Sequence, residues 1–193
     1  GTNEIKKIAF AVSATKESVQ KAVELEADAL VVHHGLFWKF HGTRPIIGPF
    51  YDRVAPLIKN DINLLGYHLP LDGHKEVGNA AMIAKKLEMK NLQAFGDHKG
   101  APTGIKAEFT SPMTPLELSD KLAKILNHTI LHSSPGNKQI SSLGIITGGA
   151  NSEWKLCLDE GLDSYLTGEM SEHDWHEAKE SGIYFFAGGH NAT

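Results

Sequence analysis

The sequence predicts an α/β fold: two related βαβαβ modules forming a layered sheet-and-helix core, with a small α+β segment inserted between them. Three observations carry this expectation. Ala29-Leu30-Val31-Val32 is an apolar run without polar alternation, the pattern of a parallel strand buried on both faces. A strand-like stretch over 5–13 and an amphipathic one over 16–27 precede it. Together they make a βαβ unit of about 30 residues, whose crossover is expected to be right-handed. The pattern then returns, because Ile8 to Gly35 slides onto Leu143 to Met170 without a gap. This sets Asp28 on Asp163 and His33-His34 on Gly168-Glu169. Identity is otherwise negligible, so the pattern repeats and the sequence does not.

Taken in order, residues 5–13 (IKKIAFAVS) form the first strand. In the helix over 16–27, Val19, Ala22, Val23 and Leu25 are the apolar positions, and Thr15 is the N-cap residue. The strand over 29–34 follows directly. Residues 35–49 hold Gly, Pro and three aromatics without periodicity, a loop in which Phe37, Trp38 and Phe40 either pack beneath it or line a pocket wall. A helix over 50–60 leads to a strand over 62–67, which ends in His68-Leu69-Pro70-Leu71-Asp72-Gly73-His74. A helix over 79–87, a short strand over 92–95 and a Gly/Pro-rich connector over 96–104 come next. The inserted segment, 97–141, holds a strand-like piece, a helix over 114–126 opened by Thr114-Pro115, and a short strand over 130–132. The second module, 142–193, supplies strands over 143–147, 163–167 and 183–187 and helices over 153–160 and 171–181. Its last strand matches 62–66 and brings His190 next to the position of His68. The expected domain ranges are therefore 1–96, 97–141 and 142–193.

With 193 residues, 41% of them hydrophobic, the chain can bury an ordinary core. A formal charge of -4 provides no basic field for nucleic acid or an anionic membrane. No apolar run reaches the roughly 18 residues of a membrane helix, and no secretory leader stands at the start. The single Cys157 excludes an internal disulfide framework and makes the cytoplasm the expected compartment. Gly1-Thr2-Asn3 without an initiator Met, and an end at Thr193 inside a motif, suggest a chain trimmed at both termini.

Of eleven histidines, His33, His34, His68, His74 and His190 lie just past apolar strands. Ligands of open α/β sheets bind outside the carboxyl ends of strands. Adjacent residues on a strand point to opposite sides, so His33 and His34 are expected to serve two neighbouring ions and not to chelate one. Imidazole with carboxylate suits Zn, Fe, Mn or Ni. Two ions about 3.5–4 Å apart need a bridging carboxylate and hold a water of lowered pKa. Asp72 is the natural bridge; a turn in which Asp72 bonds the amides near Gly73 is an equal alternative. His41, His98, His128 and His132 lack companion ligands and suit surface or packing roles. His173 and His176 suit a polar helix face. Nucleophilic catalysis has little support: Cys157 falls in a helix, and neither a Gly-x-Ser-x-Gly elbow nor a Walker A sequence occurs.

The stretches VVHHGLFW (31–38), INLLGYHLPLDGH (62–74), LTGEMSEHDWHEA (166–178) and AGGHNAT (187–193), in this order and spacing, resemble the Nif-three-like family of dinuclear-metal proteins. That family is also called the YbgI family and is labelled GTP cyclohydrolase I type 2 homologue. The likeness spans nearly the whole chain. It implies two divalent transition-metal ions per chain, His33 and His34 on different ions, Asp72 bridging or binding both, and His190 as a further ligand. It places His68, His74 and Glu169 near the metals, with His68 or Glu169 as general acid/base; a Glu169 that only orients a ligand histidine is the alternative. The family motif continues to a ligand Glu just after Thr193. A toroidal homohexamer is implied as well. The expected function is a metal-dependent hydrolase of a nucleotide or heterocycle, GTP ring opening being the reaction the label implies. The alternative is a metal-binding scaffold or regulator acting through protein or nucleic-acid partners. The acidic chain counts against a ring that encircles nucleic acid.

Overall fold

In the computed structural model, which describes residues 1–193, β1 (Ile8–Ser13), β2 (Ala29–His34) and β3 (Asn63–Gly66) form a parallel sheet with β2 at its centre. The crossovers are α1 (Lys16–Glu24) and α2 (Gly48–Lys59). Thr15 and Ser18 cap α1 reciprocally, each side chain accepting from the other's backbone N–H. Leu30 and Val32 of β2 pack with Val19 and Ala22 of α1 and with Phe50, Val54 and Leu57 of α2. On the edge strand β1, Ala9 and Ala11 face this core while Phe10 is 77% exposed. Leu30 and Val32 bury one face of β2, while on the other Ala29 is buried and Val31 and His33 are half-buried, so the expected two-sided burial is met in part.

Contacts divide the chain into two compact units, Gly1–His68 and Leu69–Thr193. The second is built on a six-stranded mixed sheet of β4 (Lys90–Phe95), β5 (Gly104–Met113), β6 (Leu131–Ser133), β7 (Ile140–Ile145), β8 (Ser164–Thr167) and β9 (Tyr184–Ala187). Its order is β4-β5-β7-β8-β9-β6, with β7, β8 and β9 parallel and the remaining pairs antiparallel. The division after His68 differs from the boundaries at 96 and 141 expected from pattern. Residues 97–141 supply β5 and β6, whose backbones pair with β7 and β9, so the segment belongs to the same sheet as the second module. The helices of this unit are α3 (Leu69–Asp72), α4 (Asn79–Lys86), α5 (Pro115–Leu126), α6 (Leu156–Asp159) and α7 (Glu172–Glu180). At the start of α5, Thr114 and Glu117 form a capping box, and the Thr114 donors lower the Glu117 pKa. The helix expected over 153–160 is a 3-10 turn (Asn151–Lys155) followed by α6. No helix is long and apolar enough to cross a membrane.

The repeat seen in the pattern extends to backbone geometry. Ile8 pairs with Ala29 in one parallel ladder, and Leu143 pairs with Ser164, their counterparts, in the other. Asp28 Oδ2 accepts from the N–H groups of Lys6 and Lys7; Asp163 Oδ2 accepts from those of Ser141 and Ser142. The same slide carries one donor pair onto the other. These backbone donors hold the Asp28 carboxyl below its ordinary pKa. The turn ending α1 has Glu26 at φ 51°, and its counterpart Gly161 has φ 65°. A helix terminates there through a left-handed residue, for which glycine is the usual choice.

In the second unit, Asp174 of α7 is fully buried and ties the turn after β7 to this helix. It accepts from Trp154 Nε1 at 2.9 Å, Asn151 Nδ2 at 2.9 Å and Ser171 Oγ. Burial by itself pushes the carboxyl up; the hydrogen bonds from Ser171, Asn151 and Trp154, with His173 nearby, outweigh it and hold the pKa below the ordinary value. The ionised form therefore stabilises the fold above about pH 4, and that contribution is lost as pH falls through the lowered folded-state value. Asp174→Asn is expected to cost about 2 kcal/mol at pH 7 by urea denaturation. The gap from wild type should narrow at pH 3; a gap unchanged with pH would contradict the role assigned to the charge.

Candidate metal centre

In the first unit, β2 delivers His33 and His34 at its carboxyl end, and the chain leaving β3 delivers His68. The ring centroids lie 4.7 Å apart for His33–His34, 4.8 Å for His33–His68 and 5.6 Å for His34–His68. One ring nitrogen from each falls within 4.8 Å of the others, and all three side chains are half-buried. With metal–nitrogen bonds of about 2.0–2.1 Å, donors of a common ion stand no more than about 4.2 Å apart. The three donor atoms come close enough to that span for a metal to be held by some or all of them, so the set fits a metal. The expectation that His33 and His34 point away from each other is not met. Strand alternation governs the Cβ directions, but each imidazole reaches several ångströms farther and is turned by its own hydrogen bond.

Those hydrogen bonds also decide which nitrogen faces a ligand. His33 Nδ1 lies 2.8 Å from the Tyr67 carbonyl oxygen. A carbonyl only accepts, so Nδ1 carries the proton and the neutral ring keeps its lone pair on Nε2. His34 Nδ1 lies 2.9 Å from Ser13 Oγ, and the β1–β2 register sets Ser13 directly opposite His34. Ligand imidazoles are commonly oriented in this way, through the nitrogen that does not bind the metal. Trp38 flanks the group, 4.9 Å from His68 and nearly perpendicular to it.

In the second unit, Asp72 closes α3 and is 7% exposed. Its Oδ1 accepts from Asn79 Nδ2 at 2.9 Å and from Thr147 Oγ1 at 3.2 Å, two side-chain donors from α4 and from the turn after β7. His190 Nδ1 lies 2.5 Å from Glu169 Oε1. The carboxylate accepts the Nδ1 proton, which leaves Nε2 as the acceptor nitrogen and puts Glu169 in an orienting position. Gly168 explains why the repeat keeps no histidine at the counterpart of His33. A Cβ there would stand 2.6 Å from the Gly148 carbonyl oxygen and 2.7 Å from His190 Cα.

The other histidines have local roles. His74 is exposed, and its Nδ1 accepts from the N–H groups of Glu76 and Val77 at 3.2 Å each, closing a turn. His173 and His176 are exposed on α7, as are His41, His98 and His128 elsewhere, while His132 packs on Phe186. Burial pushes the Cys157 thiol up to about 12, so it stays protonated and inert at neutral pH. Sequence reasoning missed the supports: Ser13, the Tyr67 carbonyl and Thr147. The available signal was their place at or just past the carboxyl ends of β1, β3 and β7.

The whole chain, residues 1–193, matches the model of the family described as Duf34/NIF3 (NGG1p interacting factor 3). A protein of Haemophilus influenzae called GTP cyclohydrolase 1 type 2 homolog is 43% identical over 195 residues, spanning 100% of this chain and 76% of that one. A protein of the same name from Vibrio cholerae is 39% identical over 197 residues, with 100% and 77% covered. Among solved structures, protein ybgI, titled as of unknown function, superposes with a TM-score of 0.89 at 37% identity, covering 100% of this chain and 76% of that one.

Removing one orienting bond tests the triad without touching a donor. Ser13→Ala should leave the fold intact and weaken transition-metal affinity about tenfold, read by competition with a chromogenic chelator. An affinity equal to wild type would show that Ser13 does not position His34.

Proposed function

The chain belongs to the Duf34/NIF3 family, and on that premise we propose that it is a dinuclear metal-binding protein that hydrolyses a nucleotide or related heterocycle. The observation that carries this reading is the triad of His33, His34 and His68, whose ligand atoms lie within 4.8 Å of one another. The name of the curated relatives, GTP cyclohydrolase 1 type 2 homolog, supports the substrate class. The proposed donors are His33, His34, Asp72 and His190, and the ions are divalent Zn, Fe, Mn or Ni.

When bound, such ions supply Lewis acidity and a water of lowered pKa. The chain's own groups do the rest. The Tyr67 carbonyl and Ser13 hold the Nδ1 sides of His33 and His34, so that Nε2 of each is presented for coordination. Asn79 and Thr147 hold the Asp72 carboxylate by one oxygen. Hydrolysis needs a proton taken from water and one returned to the departing nitrogen. In this proposal His68 carries that proton as general acid/base. Glu169 keeps the proton on His190 Nδ1 and acts through that ring as a positioning residue.

Metal content by plasma mass spectrometry, on protein purified without added metal, tests the reading. About two ions per chain are expected, falling to about one or fewer in Asp72→Ala and in His33→Ala. No metal in the wild type, and none taken up on titration, would sink the dinuclear reading. Release of a ring-opened product from GTP by the loaded protein, absent in Asp72→Ala, tests the hydrolase half. The assembly belongs to the proposal too, as a toroidal homohexamer. Sedimentation equilibrium should read about six times the 21.0 kDa chain, and a monomer mass would remove this part of it.

A further inference from the structure

The loop that follows β2 carries two aromatic rings that the core does not claim. Trp38 Nε1 donates to the Gly35 carbonyl oxygen at 3.0 Å, which fixes the plane of the indole. That indole stands 4.9 Å from His68 at 85° and 6.3 Å from His34 at 48°. Phe40 lies against it, 5.7 Å away and within 23° of parallel, yet is 78% exposed. Phe37 is also exposed, at 76%, but one edge of it meets the buried Phe50 at 5.7 Å. The rings that Phe40 meets, Trp38 and His41, belong to its own loop.

A phenyl ring held in water beside a fixed indole is a ready surface for a flat ligand, because stacking and desolvation reward the same geometry. Charge narrows the ligand further. In a chain of net charge -4, residues 35–49 contain Lys39, His41 and Arg44 but no Asp or Glu. Aromatic rings interleaved with cations suit a planar base carrying phosphate.

We propose that Trp38 and Phe40 form a stacking wall that receives the heterocycle of a nucleotide beside the histidine triad, with Lys39 and Arg44 attracting its phosphate. This rests on the proposed hydrolase reading and gives it a substrate class, a purine-sized nucleotide. Trp38 and Phe40 are specificity residues and take no part in proton transfer.

Titration calorimetry with GMP, guanosine and ribose 5-phosphate, on metal-loaded and metal-free protein, tests the wall. Phe40 is a surface residue, so Phe40→Leu should keep the fold and the metal content and bind GMP about tenfold more weakly. Lys39→Ala should weaken GMP but leave guanosine unchanged, and ribose 5-phosphate should bind far more weakly than GMP. Equal GMP affinity in wild type and Phe40→Leu, ribose 5-phosphate bound as tightly as GMP, or no GMP binding at all would overturn the proposal. Metal counts on the same samples separate the two readings. Normal metal content with GMP binding indifferent to Phe40 removes the wall and keeps the metal centre. Phe40-dependent GMP binding without any metal uptake does the reverse.

Discussion

The parallel pairing of β1, β2 and β3 is the constraint on which the first unit depends. Parallel strands finish at one edge of a sheet, so Ser13, His34 and the chain around Tyr67 and His68 arrive there together. The ladder is one-sided in its packing: Leu30 and Val32 bury against α1 and α2 and hold the strand in register. A slip of one residue would turn those side chains out and His33 in, so the apolar core and the polar edge enforce the same alignment.

Neutral groups help to orient the side chains in each unit. His33 is turned by a backbone carbonyl and His34 by a hydroxyl, while Asp72 is held by an amide and a hydroxyl. His190 is different, because its partner is the Glu169 carboxylate. That pairing fixes the orientation of the ring and keeps its proton on Nδ1.

The two related modules keep their frame and exchange their chemistry. Asp28 and Asp163 grip equivalent pairs of backbone amides, and both modules close a helix through a left-handed residue, Glu26 in one and Gly161 in the other. At the strand ends the copies part, with His33 in one and Gly168 in the other. The glycine yields its space to the backbone of His190. One strand end carries a histidine itself, and the other makes room for a histidine from the following turn.

Much of this was legible in the chain. The apolar run at 29–32, the Thr15 and Thr114 caps and the sliding repeat located nearly every strand and helix, because those signals are local and periodic. The family motifs identified the histidines for the same reason. Where the compact units divide was not legible, since β5 and β6 join the larger sheet through backbone pairing that leaves no side-chain pattern. Nor was the meeting of His33 with His34, which depends on the Tyr67 carbonyl and on a hydroxyl one strand away. Hydrogen bonds between residues distant in sequence aim the rings, so only the tertiary structure decided which nitrogens face a ligand, and that Phe40 remains in water beside them.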